Sequence, residues 1–354
     1  MKYIFHFALL LWIFQIDMSH NSSTFSSKIV DASIVNHKPI NSFEAVDSHA
    51  KNCPSNVEKD IVSLAEYLGE ICTNDLEKAR AIYVWLAYNI DYDDYAYNSG
   101  NYKDYDAKSV LKNRVAVCEG FSNLYLALGK AMNLEIKKVS GYAKGYGYSL
   151  NFKFRDSNHA WNLIKINDEW RFFDATWAAG DGITVGGRLK SKKKFDEFWF
   201  NLDAYTSIFT HLPEDKNLVT VNPKMDLKTF MKFPNVGKGY FLLGFDSYKT
   251  YKKIHQTKHV KFPKCSTLDI PAKMISAPKY KTLKAQKSID FKFEIPEADQ
   301  MTIIDSKNNW TYFKRENGVF TLSYTPKNLG ELHISVKQTK HEKSYTLLMT
   351  YQVR

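Results

Sequence analysis

Cysteine is scarce in this sequence, and its spacing does not suit redox or zinc chemistry. The 354-residue chain contains four cysteines, and no two of them form a CxxC motif. A zinc ribbon and a thioredoxin-type site both require that motif, so neither is expected. Long apolar runs are also lacking, because the run at residues 3–16 is shorter than the roughly 20 residues that cross a bilayer.

Signatures of nucleic-acid binding are absent, although the chain is basic. The formal net charge is +11, but no arginine-rich arm, zinc-finger spacing or RNA-binding motif accompanies it. We interpret the scattered lysines as a solvated surface and expect no nucleic-acid partner. An anionic cell-surface polymer stays open as a partner, since it would be attracted by the same charge.

Motifs for cofactors and metals are missing as well. The glycines at 141, 145 and 147 do not lie between a strand and a helix, so they do not form a dinucleotide-binding loop. The acidic stretch at residues 91–94 lacks the glycine and the distal glutamate of an EF-hand loop. The sequence therefore predicts neither a cofactor nor a bound metal.

The N-terminus has the pattern of an export signal. Lys2 precedes the apolar run at residues 3–16, and a polar stretch follows at residues 17–27. This order of a charged, an apolar and a polar region is typical of a cleavable signal peptide. We expect residues 1–19 to be that signal, the protein to be exported (secreted, periplasmic or at the cell surface), and no stable membrane insertion to remain after cleavage.

Two kinds of hydrophobic pattern divide the rest of the chain. Helical periodicity dominates its first part, where Ser55 with Glu58 and Asn74 with Glu77 have the spacing of capping boxes. Near the C-terminus apolar and polar residues alternate in several runs without a helix between them, which predicts antiparallel strands. We expect a linker at 20–50, an α+β domain at 51–245, a second linker at 246–275, and a small all-β, Ig-like sandwich at 276–354.

A cysteine begins the most regular helical pattern in the chain. After Cys118 the apolar residues recur with the spacing of one helix face, at Phe121, Leu124, Tyr125, Leu128 and Met132. A thiol at a helix N-terminus meets unpaired backbone N–H groups and the positive end of the helix dipole, and both favour the nucleophilic thiolate. The alternative is a small buried cysteine that only packs near the helix start.

A histidine and an aspartate are brought together by a predicted hairpin. Two β-rich runs flank the Asn-Asp pair at residues 167–168, which is typical of a two-residue turn. Ile166 then pairs with Glu169, and His159 lies diagonally opposite Asp174 on the same face. The register therefore predicts an imidazole–carboxylate pair, either catalytic or a hydrogen-bonded pair in the core.

Three motifs in this order resemble the transglutaminase-like superfamily, whose fold is papain-like. They are VCEGF at 117–121, HAWN at 159–162 and FDATW at 173–177. The motif HLPED at 211–215, after a glycine-rich loop and an aromatic stretch, makes the chain similar to the kyphoscoliosis-peptidase-like branch. The resemblance covers about residues 55–245. It implies an α+β core in which the helix carrying the cysteine packs on an antiparallel sheet carrying the histidine and aspartate.

The resemblance also implies a role for each residue of these motifs. Cys118 would be the nucleophile, His159 the base that holds the thiolate–imidazolium pair, and Asp174 the residue that orients His159. Attack on an amide would give a thioester. The backbone N–H of Cys118 is expected to stabilise the oxyanion. The sequence does not identify a second donor, and Tyr92 and Trp85 both stay candidates.

The implied function is that of an exported cysteine peptidase or amidase that acts on proteins or peptides. Two alternatives stay open: an acyltransferase that cross-links proteins, and a non-catalytic adhesion or scaffold protein. Cys53 and Cys72 bracket the first predicted helix and could form a disulfide. That pairing would leave Cys118 as a free thiol.

Overall fold

The computed structural model describes residues 43–149, 152–257 and 259–354. The predicted signal peptide at 1–19 lies outside these residues, and so does all but the end of the predicted linker at 20–50. Both stay predictions. None of the helices in the described ranges is long and apolar enough to cross a membrane.

Helices build most of the first part of the described chain, and α6 lies at their centre. Helix α6 packs against α2, α3 and α5, and its inward residues are buried, as the apolar pattern predicts. Helix α1 occupies the end of the range that we expected to be a linker. The helices are α1 Glu44–Lys51, α2 Ile61–Gly69, α3 Asp75–Asn89, α4 Asp94–Ser99, α5 Ala107–Asn113 and α6 Cys118–Ala131.

One of the two predicted capping boxes forms a helix start, and the other does not. Asn74 caps α3 by accepting a hydrogen bond from the N–H of Glu77 (3.0 Å). The prediction at Ser55 and Glu58 was wrong, because α2 begins only after Asp60, whose side chain accepts from the N–H of Ser63.

The carboxylate of Glu58 is used elsewhere. It accepts hydrogen bonds from the indole of Trp85 and from Arg114, both at 2.9 Å. Trp85 is fully buried, and its N–H group needs an acceptor there. These tertiary hydrogen bonds of Glu58 outweigh the local capping pattern.

An antiparallel sheet of four strands packs on α6. Its strand order is β5–β4–β3–β8, and β4 and β3 form its centre. Two short parallel strands, β1 and β2, precede this sheet, and the β6–β7 hairpin stands apart from it. The strands are β1 Asp91–Tyr92, β2 Val115–Ala116, β3 Ile136–Ala143, β4 His159–Ile166, β5 Glu169–Phe173, β6 Gly180–Val185, β7 Arg188–Lys193 and β8 His211–Pro213.

The C-terminal strands form two sheets, with the orders β10–β12–β16–β15 and β11–β18–β17–β13–β14, and β9 pairs with β18. The α+β class with a β-sandwich is thereby confirmed. All pairings are antiparallel except β11 with β18, which the alternating pattern did not predict. The strands are β9 Lys264–Cys265, β10 Lys273–Ser276, β11 Thr282–Leu283, β12 Ile289–Glu294, β13 Gln300–Ile304, β14 Trp310–Tyr312, β15 Lys314–Glu316, β16 Val319–Tyr324, β17 Gly330–Lys337 and β18 Thr346–Val353.

Short helices connect the sheet that packs on α6 to the C-terminal strands. They are α7 Ala175–Ala179, α8 Ala204–Ser207, α9 Leu227–Lys232, α10 Lys238–Leu242 and α11 Ser247–Gln256. Residues of this region, such as Phe230 and Tyr251, share one buried core with C-terminal residues such as Phe291 and Ile334. The range 246–275, which we expected to be a linker, contains α11, β9 and the start of β10. The domain boundaries stay predictions.

A glycine at the centre of the sheet packed on α6 provides a test of this packing. A Cβ at Gly141 would lie 2.3 Å from the carbonyl oxygen of Leu212 and 2.5 Å from the ring of Trp161. We expect Gly141→Ala to lower the free energy of unfolding by about 1–3 kcal/mol, because strand β8 or the indole must move. Denaturant unfolding measures this, with Ser140→Ala, an exposed position in the same strand, as the control. Equal stability of the two variants would contradict the close approach.

Candidate active site

Helix α6 begins at Cys118, as the sequence predicts. Val117 is its extended N-cap residue, and no side chain caps the helix there. The N–H groups of Gly120 and Phe121 already donate to the carbonyl of Val117, whereas the first N–H of a helix has no partner within it. The half-buried thiol of Cys118 therefore stands at the positive end of a helix of 14 residues.

The hairpin of β4 and β5 has the predicted register. Ile166 pairs with Glu169, and both turn residues, Asn167 and Asp168, have positive φ angles, as a two-residue turn of this type requires. The Nε2 atom of His159 lies 2.7 Å from Oδ2 of Asp174. The predicted imidazole–carboxylate contact is confirmed.

Burial and charge act in opposite directions on this pair. Burial lowers the pKa of His159, but the carboxylate of Asp174 and the charge and hydrogen bond of Cys118 outweigh it and raise the pKa well above its ordinary value. Burial would raise the pKa of Asp174, but His159 and His211 hold it well below its usual range. The pair is therefore an imidazolium–carboxylate pair at neutral pH, with the thiol of Cys118 close to the imidazolium.

Asp174 makes two further contacts within the protein. It is the N-cap of α7, and its Oδ1 atom accepts a hydrogen bond from the N–H of Trp177 (3.0 Å). Its Oδ2 atom also lies 3.3 Å from Nε2 of His211. His211 was not predicted as a site residue, although the motif at 211–215 contains it.

A cleft of about 570 Å³ opens beside His159. Its wall carries aromatic side chains, lysines and the carboxylates of Asp91 and Asp181, and so it offers apolar contact area together with charges of both signs. The residues that matter for its character are Tyr92, Tyr97, Lys144, Tyr146, Trp177 and Lys192. A cleft of this size suits several residues of a peptide chain or a comparable ligand.

The two side chains considered for the second oxyanion donor, Tyr92 and Trp85, lie in different surroundings. Trp85 is fully buried and its N–H group donates to Glu58, so it is not free to act as that donor. Tyr92 lines the cleft. Burial raises its pKa far above the ordinary value, and the charge of Cys118 adds to this effect. Its hydroxyl group therefore keeps its proton and can donate it in a hydrogen bond.

The acidic stretch at residues 91–94 does not converge on a common point. Asp91 pairs with Lys193, Asp93 caps α4 and accepts from the hydroxyl of Tyr105, and Asp94 accepts from Ser191. Among the described residues, one group of metal-ligating side chains does meet, namely His159, Asp174 and His211. These side chains are buried, and their ligand atoms lie within 4.8 Å of one another; we assign them no metal.

The suggested disulfide between Cys53 and Cys72 is not present. All four cysteines are free. The thiol of Cys72 donates to the carbonyl of Leu68 (3.2 Å), and burial raises the pKa of both Cys53 and Cys72 to about 11.

Comparison with known protein families matches the region that contains Cys118, His159 and Asp174. The family model of the Transglutaminase-like superfamily matches residues 62–175. Kyphoscoliosis peptidase of Mus musculus is 28% identical over 189 residues, which are 53% of this chain and 28% of that protein. Kyphoscoliosis peptidase of Homo sapiens gives the same identity and coverage. The match spans little more than a quarter of either relative. Among solved structures, that of a TGase covers 48% of this chain and 39% of its own, with 20% identity and a TM-score of 0.26.

The two opposite pKa shifts predict a pH window for stability. The raised pKa of His159 stabilises the fold fully below the unfolded value of about 6.5, and this contribution is lost as the pH rises above it. Because the pKa of Asp174 is lowered in the folded protein, its carboxylate stabilises the fold above about pH 3.9, and this contribution is lost on acidification. The unfolding free energy of the parent should therefore exceed that of the double variant His159→Gln/Asp174→Asn by the largest amount between these two pH values.

Urea unfolding of both proteins between about pH 4 and pH 8 measures the window. Above about pH 6.5 we expect the difference in unfolding free energy to fall by up to about 1.4 kcal/mol per pH unit. A difference that is independent of pH would show that the two groups are not an ion pair in the folded protein.

Proposed function

We propose, on the premise that residues 62–175 belong to the transglutaminase-like superfamily, that this chain is a cysteine enzyme acting on amide bonds of proteins or peptides. Cys118 is its nucleophile, His159 its acid–base group, and Asp174 the residue that orients His159. The observation that carries the proposal is the contact of the buried Asp174 with His159, whose pKa is raised by both Asp174 and Cys118. This arrangement favours a thiolate–imidazolium pair.

The reaction begins when Sγ of Cys118 attacks the carbonyl carbon of the amide. A C–S bond forms, and the electron pair of the C=O bond moves to the oxygen. The backbone N–H of Cys118 and the hydroxyl of Tyr92 stabilise this oxyanion by hydrogen bonds. The imidazolium of His159 then protonates the nitrogen as the C–N bond breaks, and a thioester remains on Cys118.

The acyl acceptor decides what kind of enzyme this is. If water attacks the thioester while His159 takes its proton, the C–S bond breaks, the thiolate of Cys118 leaves, and the chain is a peptidase or amidase. If an amine attacks, the chain is an acyltransferase that forms a new amide bond. We favour hydrolysis. The two relatives named kyphoscoliosis peptidase are called peptidases, and we propose the same activity for this chain.

Export is a further part of the proposal and rests on the pattern of residues 1–19. An exported enzyme would meet its protein or peptide substrates outside the cytoplasm, and an anionic surface polymer could hold the basic chain near them. N-terminal sequencing of protein recovered from the culture medium or the cell envelope tests this. Recovery of the uncleaved chain from the cytoplasm alone would contradict export.

A peptide library tests the chemistry without a known substrate. The purified chain is incubated with a proteome-derived peptide mixture and a fluorescent alkylamine, and the products are read by mass spectrometry. We expect new peptide termini from hydrolysis. Amine incorporation with release of ammonia would instead establish the acyltransferase.

Matched variants separate the proposed chemistry from other effects. Cys118→Ala should abolish product formation, whereas Cys265→Ala, which removes another half-buried free thiol, should not. If the parent and Cys118→Ala behave alike against a broad library, the enzyme proposal fails and a scaffold role takes its place.

Tyr92 provides a second, more specific prediction. Tyr92→Phe removes one oxyanion donor and should lower kcat about 10²–10³-fold. The same variant should leave the alkylation rate of Cys118 unchanged, because alkylation forms no oxyanion. Tyr97→Phe, whose ring lies 6.1 Å from that of Tyr92 in the same cleft, is the control. A parallel loss of alkylation and turnover in Tyr92→Phe would show that Tyr92 acts on the thiol and not on the oxyanion.

A further inference from the structure

We propose that His211 is a positioning residue of this site: its Nε2–H group makes a long polar contact of 3.3 Å with Oδ2 of Asp174 and helps to hold the carboxylate in the orientation that His159 requires. The catalytic consequence rests on the proposed function, whereas the contact itself can be tested without it. His211 lies outside the matched residues 62–175 and was not among the residues predicted from the motifs.

The position of His211 is set by the edge strand of the sheet that packs on α6. It is the first residue of β8 and pairs with Ala143 of β3. Its side chain is 1% exposed, and its Nε2 atom lies 3.3 Å from Oδ2 of Asp174. The same oxygen is 2.7 Å from Nε2 of His159. Two imidazoles therefore approach one carboxylate oxygen from two different strands.

The other ring nitrogen of His211 determines which tautomer is present. Nδ1 lies 2.9 Å from the hydroxyl oxygen of Thr210. If Nδ1 carried the proton, the lone pair of Nε2 would face a buried carboxylate, which is repulsive at low local dielectric. If Nε2 carries the proton, the hydroxyl of Thr210 can donate to Nδ1 (2.9 Å) in preference to the more distant carbonyl of Ser207 (3.3 Å), and the N–H of Nε2 lies near Oδ2 of Asp174. The second arrangement gives Nδ1 a donor and leaves the N–H of the buried Nε2, which has no well-aligned hydrogen bond, beside the carboxylate rather than a lone pair.

The surroundings of His211 keep it neutral. Four aromatic rings enclose its imidazole, with centroid distances from 4.3 to 5.7 Å, from Phe172, Trp161, Trp177 and Trp199. The ionisable groups that face it are Asp174 and His159. Burial lowers the pKa of His211 to about 4, the charge of His159 lowers it further, and Asp174 only partly offsets this. His211 thus supplies a donor without adding a second cation.

A neutral donor at this place has a clear mechanical effect. The N–H of Trp177 holds Oδ1 of Asp174 (3.0 Å), and His211 approaches Oδ2, the oxygen that also contacts His159. A carboxylate fixed at both oxygens cannot rotate away from His159, so the imidazolium stays in place beside Cys118. Second partners of this kind commonly orient the residues of a reactive centre.

Two substitutions separate positioning from simple packing. His211→Phe keeps an aromatic ring among the four rings but loses the N–H donor. His211→Gln keeps an amide N–H that can reach Asp174 but loses the ring. If His211 only fills space, the Phe variant should resemble the parent more closely than the Gln variant. If it positions Asp174 by donation, the order is reversed.

The readout is the alkylation rate of Cys118 by iodoacetamide as a function of pH, followed by mass spectrometry. At about pH 6 we expect His211→Phe to react at least about tenfold more slowly than the parent, since a hydrogen bond to a charged group is lost, and His211→Gln to recover most of that loss. A pH profile of His211→Phe that matches the parent would overturn the proposal.

A second measurement does not depend on the variants folding. Long-range ¹H–¹⁵N correlation spectra of the parent, with histidine labelled by ¹⁵N, report the tautomer of each ring. We expect His211 with a protonated Nε2 and an unprotonated Nδ1 at neutral pH, and Nδ1–H or a doubly protonated ring would overturn the proposal. An unreactive Cys118 in a parent with the Nε2–H tautomer would instead contradict the proposed function while confirming the contact.

Discussion

A carboxylate without access to water has to be compensated inside the protein, and the structure around Asp174 meets this requirement. Its side chain is 0% exposed. The imidazole of His159, the backbone N–H of Trp177 and the imidazole of His211 approach its two oxygens at 2.7, 3.0 and 3.3 Å. The loss of any one of them would leave a buried charge with too few partners, which is far more costly than an unpaired charge at the surface. The positions of β4, α7 and β8 are therefore tied to this one group.

The same constraint connects the acid to the thiol. Asp174 keeps the imidazole of His159 charged, and the charged imidazole faces the N-terminus of α6, where Cys118 stands. Helix α6 packs on the sheet through β4 and β3, so the strand that carries His159 also supports the helix that carries Cys118. The contacts from the Asp174 carboxylate through His159 to the Cys118 thiol thus lie on a helix and a sheet that pack together. The cleft lined by Tyr92 and Trp177 opens beside them.

Much of this arrangement could be predicted from local sequence patterns. The helix that starts at Cys118 follows from the 3.6-residue period, and the contact of His159 with Asp174 follows from a two-residue turn and the alternation of faces along strands. His211 could not be found this way, because β8 meets β3 only through tertiary pairing and no period or turn links it to Asp174.

The predictions that failed have a similar cause. Glu58 has a capping-box spacing, but Trp85 and Arg114 use its carboxylate in the folded chain. The cysteines at 53 and 72 lie in suitable places along the sequence and yet remain free thiols. The core that links residues such as Phe230 to the C-terminal sheets also depends on contacts between distant parts of the chain, which no local pattern indicates.

The most direct test of this account is to count thiolates by ultraviolet absorbance at neutral pH. Burial raises the pKa values of Cys53 and Cys72 to about 11 and that of Cys265 to about 12, so these three cysteines stay protonated and do not contribute. At about pH 7 we therefore expect the thiolate absorbance of the parent to come from Cys118, beside the imidazolium of His159. This signal should be absent in Cys118→Ala and strongly reduced in His159→Ala. A parent protein without thiolate absorbance under these conditions would contradict the coupled charge chain from Asp174 to Cys118.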